Sequence, residues 1–184
     1  MEEIELYLED ARDSMNKAVN HVGQELTKIR AGKASPAMLD GVQVPYYGAM
    51  SPLNQVSSIT TPEARTIFIK PWEKSLIGEI ERAILAANLG LTPQNDGQQV
   101  IINIPMLTEE RRKQLVKQVH QECEQGKVSI RSVRKETNEQ LKKIKGVSED
   151  DVKNAEEEVQ KMTDDYIGRI DALMKKKEGE IMTV

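Results

Sequence analysis

The chain has 184 residues, of which 30% are charged, 38% hydrophobic and only 3% aromatic, and its formal net charge at pH 7 is −4. So few aromatic side chains argue against a large aromatic-lined pocket or a platform on which nucleotide bases stack. The single cysteine, Cys123, excludes an intrachain disulfide, and no stretch reaches the roughly 20 apolar residues of a membrane-spanning helix.

The N-terminal sequence MEEIELYLEDAR opens the first predicted element, a long helix. It is acidic and lacks an uninterrupted apolar run, so we expect neither a signal nor a transit peptide and predict a cytoplasmic protein. Apolar residues recur every three or four positions from Ile4 to Ile29, close to a heptad repeat. Gly32 is the expected residue just after the helix, and Pro36 disfavours an immediate restart.

Residues 32–105 have the pattern of a small α/β domain. Runs rich in β-branched and aromatic residues occupy positions 42–46, 55–60, 66–70 and 100–104, with turn signals between them. An amphipathic helix is predicted over residues 74–88. We expect Trp72, at the end of a predicted strand, to anchor the core of this domain.

Two further long helices follow. The first is predicted from an N-cap at Thr108 to about residue 145, and the second from Ser148 almost to the C-terminus. Carboxylates in the first turn of each helix favour these starts, because the helix dipole attracts negative charge there. The turn between them is short, so the two helices are expected to be antiparallel neighbours.

These elements predict an α+β, mainly α, fold. Residues 1–31 and 106–184 form an elongated three-helix bundle, and residues 32–105 form an inserted domain. Because the chain crosses between the domains twice through short segments, we predict a hinge there. The hinge residues are Ala31, Gly32, Lys33, Ala34, Ser35, Pro36, Ile104, Pro105 and Met106.

Positive charge is concentrated in one segment of an otherwise acidic chain. Residues 111–145 carry 11 basic and 4 acidic side chains, a net charge of +7. On a helical wheel most of these cations form a stripe beside the apolar seam. Such a stripe suits the phosphates of folded RNA. A solvated face neutralised by Glu124, Glu136 and Glu139 is an equally weighted alternative at this point. The stripe contains Lys113, Lys127, Arg131, Arg134, Lys135, Lys142 and Lys145.

No residue pattern predicts catalysis or a metal site. The two histidines, His21 and His120, lack neighbours at metal-ligand spacing. Cys123 lies on the apolar seam, where a packed thiol is expected rather than a nucleophile. Phosphate-binding glycine-rich loops and hydrolase motifs are missing from the sequence. We therefore predict no enzymatic activity and no cofactor.

Three segments form a recognisable set of motifs: KIRAGKASP at residues 28–36, IPMLTEERR at residues 104–112 and RSVRK at residues 131–135. Together they resemble motifs of the ribosome recycling factor family. The first is similar to the family's signature after its first helix, the second to the approach to its second helix, and the third to its RxxRR element. Lys33 and Lys135 stand where the family usually has arginine. The match runs from the first helix to the C-terminus.

The resemblance implies an L-shaped protein, a three-helix bundle joined by a mobile elbow to a β/α/β domain. It implies a monomeric, non-enzymatic translation factor that binds large-subunit ribosomal RNA in the intersubunit space. With elongation factor G and GTP, such a factor splits the post-termination complex and releases mRNA and tRNA. The rRNA-binding residues expected from the stripe and the resemblance together are Arg112, Lys127, Arg131, Arg134, Lys135 and Lys142.

Two other classes of function stay open on the residues alone. A coiled-coil scaffold or chaperone would need apolar tips, and Met1, Met106, Met174 and Met182 are too few and scattered to form them. An enzyme in residues 32–106 would need converging polar groups, and the sequence indicates no such set.

Overall fold

The computed structural model describes residues 2–183, which divide into two compact units. One unit contains the described residues up to Ala31 and from Thr108 onward, and the other is Gly32–Leu107. The first is a bundle of α1 (Glu2–Lys28), α4 (Glu109–Leu141) and α5 (Glu149–Met182). The second contains all the strands.

The predicted helix starts at Thr108 and Ser148 are confirmed. Thr108 Oγ1 accepts a hydrogen bond from the backbone N–H of Arg111 at 3.1 Å. Ser148 Oγ accepts one from the N–H of Asp151, also at 3.1 Å. Each hydroxyl satisfies an amide that the first turn leaves without a helical partner. Gly146 has φ +80° in the turn between α4 and α5, a conformation that glycine adopts without a Cβ clash.

The three helices bury one apolar seam each, at the three- and four-residue spacing of the sequence. In α1 the seam includes Ile4, Leu8, Met15, Val22 and Leu26. Their burial on the two partner helices holds the bundle together, because removing apolar area from water is the main favourable term in folding. The buried residues of α4 are Leu115, Val119, Cys123, Gly126, Ile130, Thr137 and Leu141.

The second unit contains two antiparallel sheets and one longer helix. Strands β1 and β2 form a hairpin, and the other sheet has the strand order β3-β4-β6-β5. In the latter, Ile67 pairs with Ile102 and Ile69 with Val100, and all four side chains are fully buried. The elements are β1 (Gln43–Tyr46), β2 (Ala49–Pro52), α2 (Leu53–Val56), β3 (Ser57–Glu63), β4 (Thr66–Pro71), α3 (Ile77–Ala86), β5 (Pro93–Asn95) and β6 (Val100–Asn103).

The structure differs from the sequence prediction in several boundaries. The strand predicted to start at residue 55 is preceded by the single helical turn α2, and the helix predicted from residue 74 begins as a 3₁₀ turn. Strands β2 and β5 were not predicted. Helix α4 ends at Leu141 rather than at residue 145.

The predicted fold class, an α+β, mainly α, three-helix bundle with an inserted small domain, is confirmed. Within residues 2–183, the helices are all too short or too polar to cross a membrane. The L shape stays a prediction.

Candidate nucleic-acid interface

Helix α4 carries five of the six predicted RNA-binding residues, and the sixth, Lys142, is its C-cap. From Arg112 to Lys142 the helical rise gives a span of about 45 Å. At about 100° per residue, the cations between 127 and 142 occupy the sector next to the buried seam. The buried seam determines which side of α4 faces α1 and α5. The cations lie next to that side, along the groove between α4 and α5 or on the neighbouring exposed surface.

Three of these cations contact α5, and we call them the interhelical row: Lys127, Arg134 and Lys142. Lys127 Nζ lies 2.5 Å from Asp171 Oδ1, and its side chain is only 16% exposed. Lys142 Nζ lies 3.2 Å from Glu156 Oε1. These contacts fix the cations along the groove and join the two helices.

Arg134 differs from the other two members of the interhelical row in its partner. Its Nη1 donates to Oε1 of Gln160 at 3.2 Å, and the Gln160 amide in turn donates to Asp164 Oδ1 at 2.9 Å. A neutral amide oxygen positions the guanidinium without cancelling its charge. Arg134 is thus an oriented, half-buried cation that keeps its charge available to an anion.

The remaining two cations have their partners on α4 itself, and we call them the outer row: Arg131 and Lys135. Arg131 Nη1 lies 3.0 Å from Glu124 Oε1, seven residues earlier on the same helix. Lys135 Nζ lies 4.0 Å from Glu139 Oε1. Both pairs are exposed to solvent, where a single ion pair contributes little to stability and exchanges readily.

The structure does not bring Arg112 together with the other five residues. It lies about 22 Å from Lys127 along the helix, at the end of the first turn of α4. Its side chain is half-buried, and its buried Nε has no hydrogen-bond partner among the described residues. Arg112 therefore extends the candidate surface toward the start of α4 instead of joining either row.

Sequence reasoning missed the α5 partners Gln160, Glu156 and Asp171. Their carboxylates and amide are visible in the sequence, but the antiparallel register that pairs them with α4 is not. The same register places His120 against Glu178, whose side chains form a hydrogen bond. The alternative of local salt bridges on α4 is observed for Glu124, which pairs with Arg131, and for Glu139, which pairs with Lys135. Glu136 instead accepts a hydrogen bond from Ser132.

The predicted hinge residues are locally tied at their inner ends. Ala34 N–H donates to the carbonyl of Ala64 at 2.7 Å, and Ile104 N–H donates to that of Arg65 at 2.8 Å. Ser35 caps the 3₁₀ turn that starts at Pro36. Gly32 has φ +73°, but the prediction that it directly follows the first helix is wrong, because α1 already ends at Lys28. Both hydrogen bonds lie within the small domain, and the hinge at residues 31–36 and 104–106 stays a prediction.

The prediction that Trp72 anchors the small-domain core is wrong. Its side chain is 69% exposed, because β4 ends at Pro71 and only the backbone N–H of Trp72, which donates to Val56, stays bonded to the fold. Tyr47, in the turn between β1 and β2, is 81% exposed. The hydroxyls of Tyr46 and Tyr47 both donate to Glu73 Oε1, at 3.3 and 3.1 Å.

Among residues 2–183, no group of three or more His, Cys, Asp or Glu side chains is arranged to hold a metal ion. Cys123 is 1% exposed, in agreement with a packed thiol. Burial is the largest cause raising the pKa of this thiol, which disfavours the nucleophilic thiolate.

The chain is similar to proteins of one family along its whole length. A family model described as ribosome recycling factor matches residues 22–182. The ribosome-recycling factor of Cytophaga hutchinsonii is 57% identical over 186 aligned positions, with 100% of both chains covered. A solution structure of a ribosome recycling factor aligns with TM-score 0.81 and 38% identity, again over 100% of both chains.

A second solved structure gives the setting in which one such factor acts. It contains models of the Thermus thermophilus ribosome recycling factor and the E. coli elongation factor G bound to the E. coli post-termination complex. A chain of that structure aligns with TM-score 0.63 and 43% identity, covering 98% of this chain and 99% of that one.

Proposed function

Since the chain belongs to the ribosome recycling factor family, we propose that it recycles ribosomes after translation termination. In this proposal it binds the intersubunit space of the post-termination complex. Together with elongation factor G and GTP, it splits the subunits and releases mRNA and tRNA. The similar factor found on a post-termination complex with elongation factor G supports these partners.

The observation that carries the proposal is the pair of cationic rows on α4. Five cations lie within sixteen residues of one helix, in a protein whose net charge is −4. A concentration of positive charge against that balance indicates a specific anionic partner rather than general solubility. The rows contain no aromatic side chain, so the partner is recognised through its phosphates and shape rather than by base stacking.

Helix α4 provides a rigid backbone, and its arginines provide planar guanidinium groups that can bind phosphate. Helix α4 has 33 residues, which at 1.5 Å each gives about 50 Å of rigid backbone. Arg131 and Arg134 can each present a planar fork to two phosphate oxygens, whereas a lysine offers a point charge. Arg112 adds a contact nearer the start of α4, and Lys127, Lys135 and Lys142 strengthen the field between the arginines.

The small domain transmits movement in this proposal, and the chain itself catalyses nothing. Elongation factor G hydrolyses the GTP, and its motion reaches the intersubunit bridges through the hinge at residues 31–36 and 104–106. The factor works as a monomer in the cytoplasm and binds no cofactor of its own.

Arg134→Ala tests the proposal in a subunit-splitting reaction with purified ribosomes, elongation factor G and GTP, followed by light scattering. Loss of one oriented arginine–phosphate contact is expected to weaken ribosome binding about tenfold and to slow splitting at limiting factor. Arg131→Ala should have a smaller effect, because Arg131 must first leave Glu124. The control is Arg12→Ala, which removes an arginine that pairs with Glu158 between α1 and α5.

Three outcomes would contradict the proposal. Failure of the wild-type protein to co-sediment with ribosomes at low salt would contradict ribosome binding. A scaffold that binds other proteins would give this result. Full activity of an Arg131→Ala/Arg134→Ala double variant would show that the rows are not the binding surface. GTP hydrolysis by the isolated chain would instead indicate an enzyme.

A further inference from the structure

The outer row is enclosed between two carboxylates on its own helix. At about 100° per residue, Glu124, Arg131, Lys135 and Glu139 fall within one sector of about 80° on α4. Along the helix the order is carboxylate, two cations, carboxylate. Each cation has its partner within this sector, at 3.0 Å for Arg131 and 4.0 Å for Lys135.

The Arg131–Glu124 pair constrains the arginine more than an ordinary pair one turn apart would. Seven residues correspond to a rise of about 10.5 Å, so the Arg131 side chain has to lie along α4 toward its N-terminus. Val128 lies between the two residues on the same face and is exposed. In this position Nη1 of Arg131 is occupied by the Glu124 carboxylate, so a phosphate that binds this nitrogen competes with Glu124.

Resting on the proposed function, we propose that Glu124 is an intramolecular competitor of rRNA phosphate for Arg131. In the free protein Glu124 holds the guanidinium against α4. On the ribosome a phosphate replaces the carboxylate, and as the factor leaves, Glu124 recaptures the guanidinium. Glu139 has the same relation to Lys135, but its longer separation and the single lysine charge make it the weaker competitor.

The expected consequence is faster release from the ribosome. A factor that acts in cycles must leave its site, and a carboxylate tethered two turns away is available the moment a phosphate contact breaks. The pair is exposed, so the competition is modest and does not prevent binding. Removing the carboxylate should therefore prolong the bound state.

The test compares Glu124→Gln with Glu136→Gln on immobilised 70S ribosomes, measuring association and dissociation rates. Both variants remove one negative charge from α4, so they share the general electrostatic gain in association rate. Glu136 lies about 120° around the helix from Glu124 and has Ser132, not a cation, as its partner. Each variant is also made in an Arg131→Ala background.

We expect Glu124→Gln to slow dissociation about two- to fivefold beyond the control, with the difference vanishing in the Arg131→Ala background. If the wild type binds and Arg131→Ala weakens it, but Glu124→Gln matches Glu136→Gln, the competitor role is wrong while the proposed function stands. A difference that persists without Arg131 would also overturn it. If the wild type does not bind ribosomes, the proposed function itself fails.

Discussion

Arg134 and Arg131 are the same residue type in two different electrostatic states. Arg134 is held by the neutral side chain of Gln160, whereas Arg131 is held by the carboxylate of Glu124. A phosphate approaching Arg134 meets a guanidinium held by a neutral amide, and one that binds Nη1 of Arg131 competes with a carboxylate. Whether an arginine can bind an anion therefore depends on the side chain that it already contacts, and not only on its position in a basic segment.

Cys123 gives a residue-level test of the bundle core. Its burial raises the pKa of the thiol, so the thiolate is scarce at neutral pH and the labelling rate should rise only above the ordinary thiol pKa. We expect native protein to react with a thiol reagent on the order of 100-fold more slowly than glutathione, because labelling requires local opening. Denatured protein should react at the rate of glutathione.

Thiol labelling followed by mass spectrometry from pH 7 to 10 checks this expectation. Rapid labelling of the native protein, with a midpoint below the ordinary thiol pKa, would contradict a packed thiol at the α1–α4–α5 seam.

For single residues, the sequence predicted which side chains are charged and which lie on the buried seam of a helix. It did not predict which side chains on other helices they contact. The burial of Cys123 followed from its spacing of four residues from Val119 and seven residues from Ile130. Trp72 was placed wrongly, because a large apolar side chain at a strand end has no periodic pattern that reveals its side of the sheet. The partners of Lys127 and Lys142 depend on the register between α4 and α5, which only the packed structure provides.

The packing of the three helices depends on Gly126 in α4. A Cβ built at this position would lie 2.3 Å from Val22 Cγ2 on α1 and 3.0 Å from Ile170 Cδ1 on α5. All three helices thus come together at a residue without a side chain. The groove that positions the interhelical row relies on this close approach.

Gly126→Ala should lower the free energy of unfolding by about 1–3 kcal/mol, since overpacking outweighs the better helix propensity of alanine. The matched control is Gly168→Ala on α5, where a Cβ would meet nothing within 4 Å. That variant should gain about 0.5–1 kcal/mol. Urea denaturation followed by circular dichroism measures both, and a stabilised Gly126→Ala variant would contradict the close approach.

The long helices were predictable because periodicity and caps agree over many turns. Thr108 and Ser148 are correct N-caps, although α1 ends at Lys28, before the end that Gly32 was expected to mark. The short strands β2 and β5 contain or adjoin proline and show no alternating apolar pattern, so nothing local marks them as strands. They form because tertiary pairing with β1 and β6 supplies their hydrogen bonds.

On the scale of the whole molecule, charge is divided among the helices of the bundle. Residues 111–145, almost all in α4, have a net charge of +7, whereas residues 146–184, mostly α5, have a net charge of −5. Attraction between the two helices favours their antiparallel packing through Lys127–Asp171 and Lys142–Glu156. The same division concentrates the positive charge of the chain on α4.

A density map of the chain on a post-termination ribosome tests the central claim most directly. We predict that the guanidinium groups of Arg131 and Arg134 lie within hydrogen-bonding distance of phosphate oxygens of large-subunit rRNA, with Arg131 displaced from Glu124. A map in which the outer row faces solvent or protein, with the Arg131–Glu124 pair intact, would contradict the account.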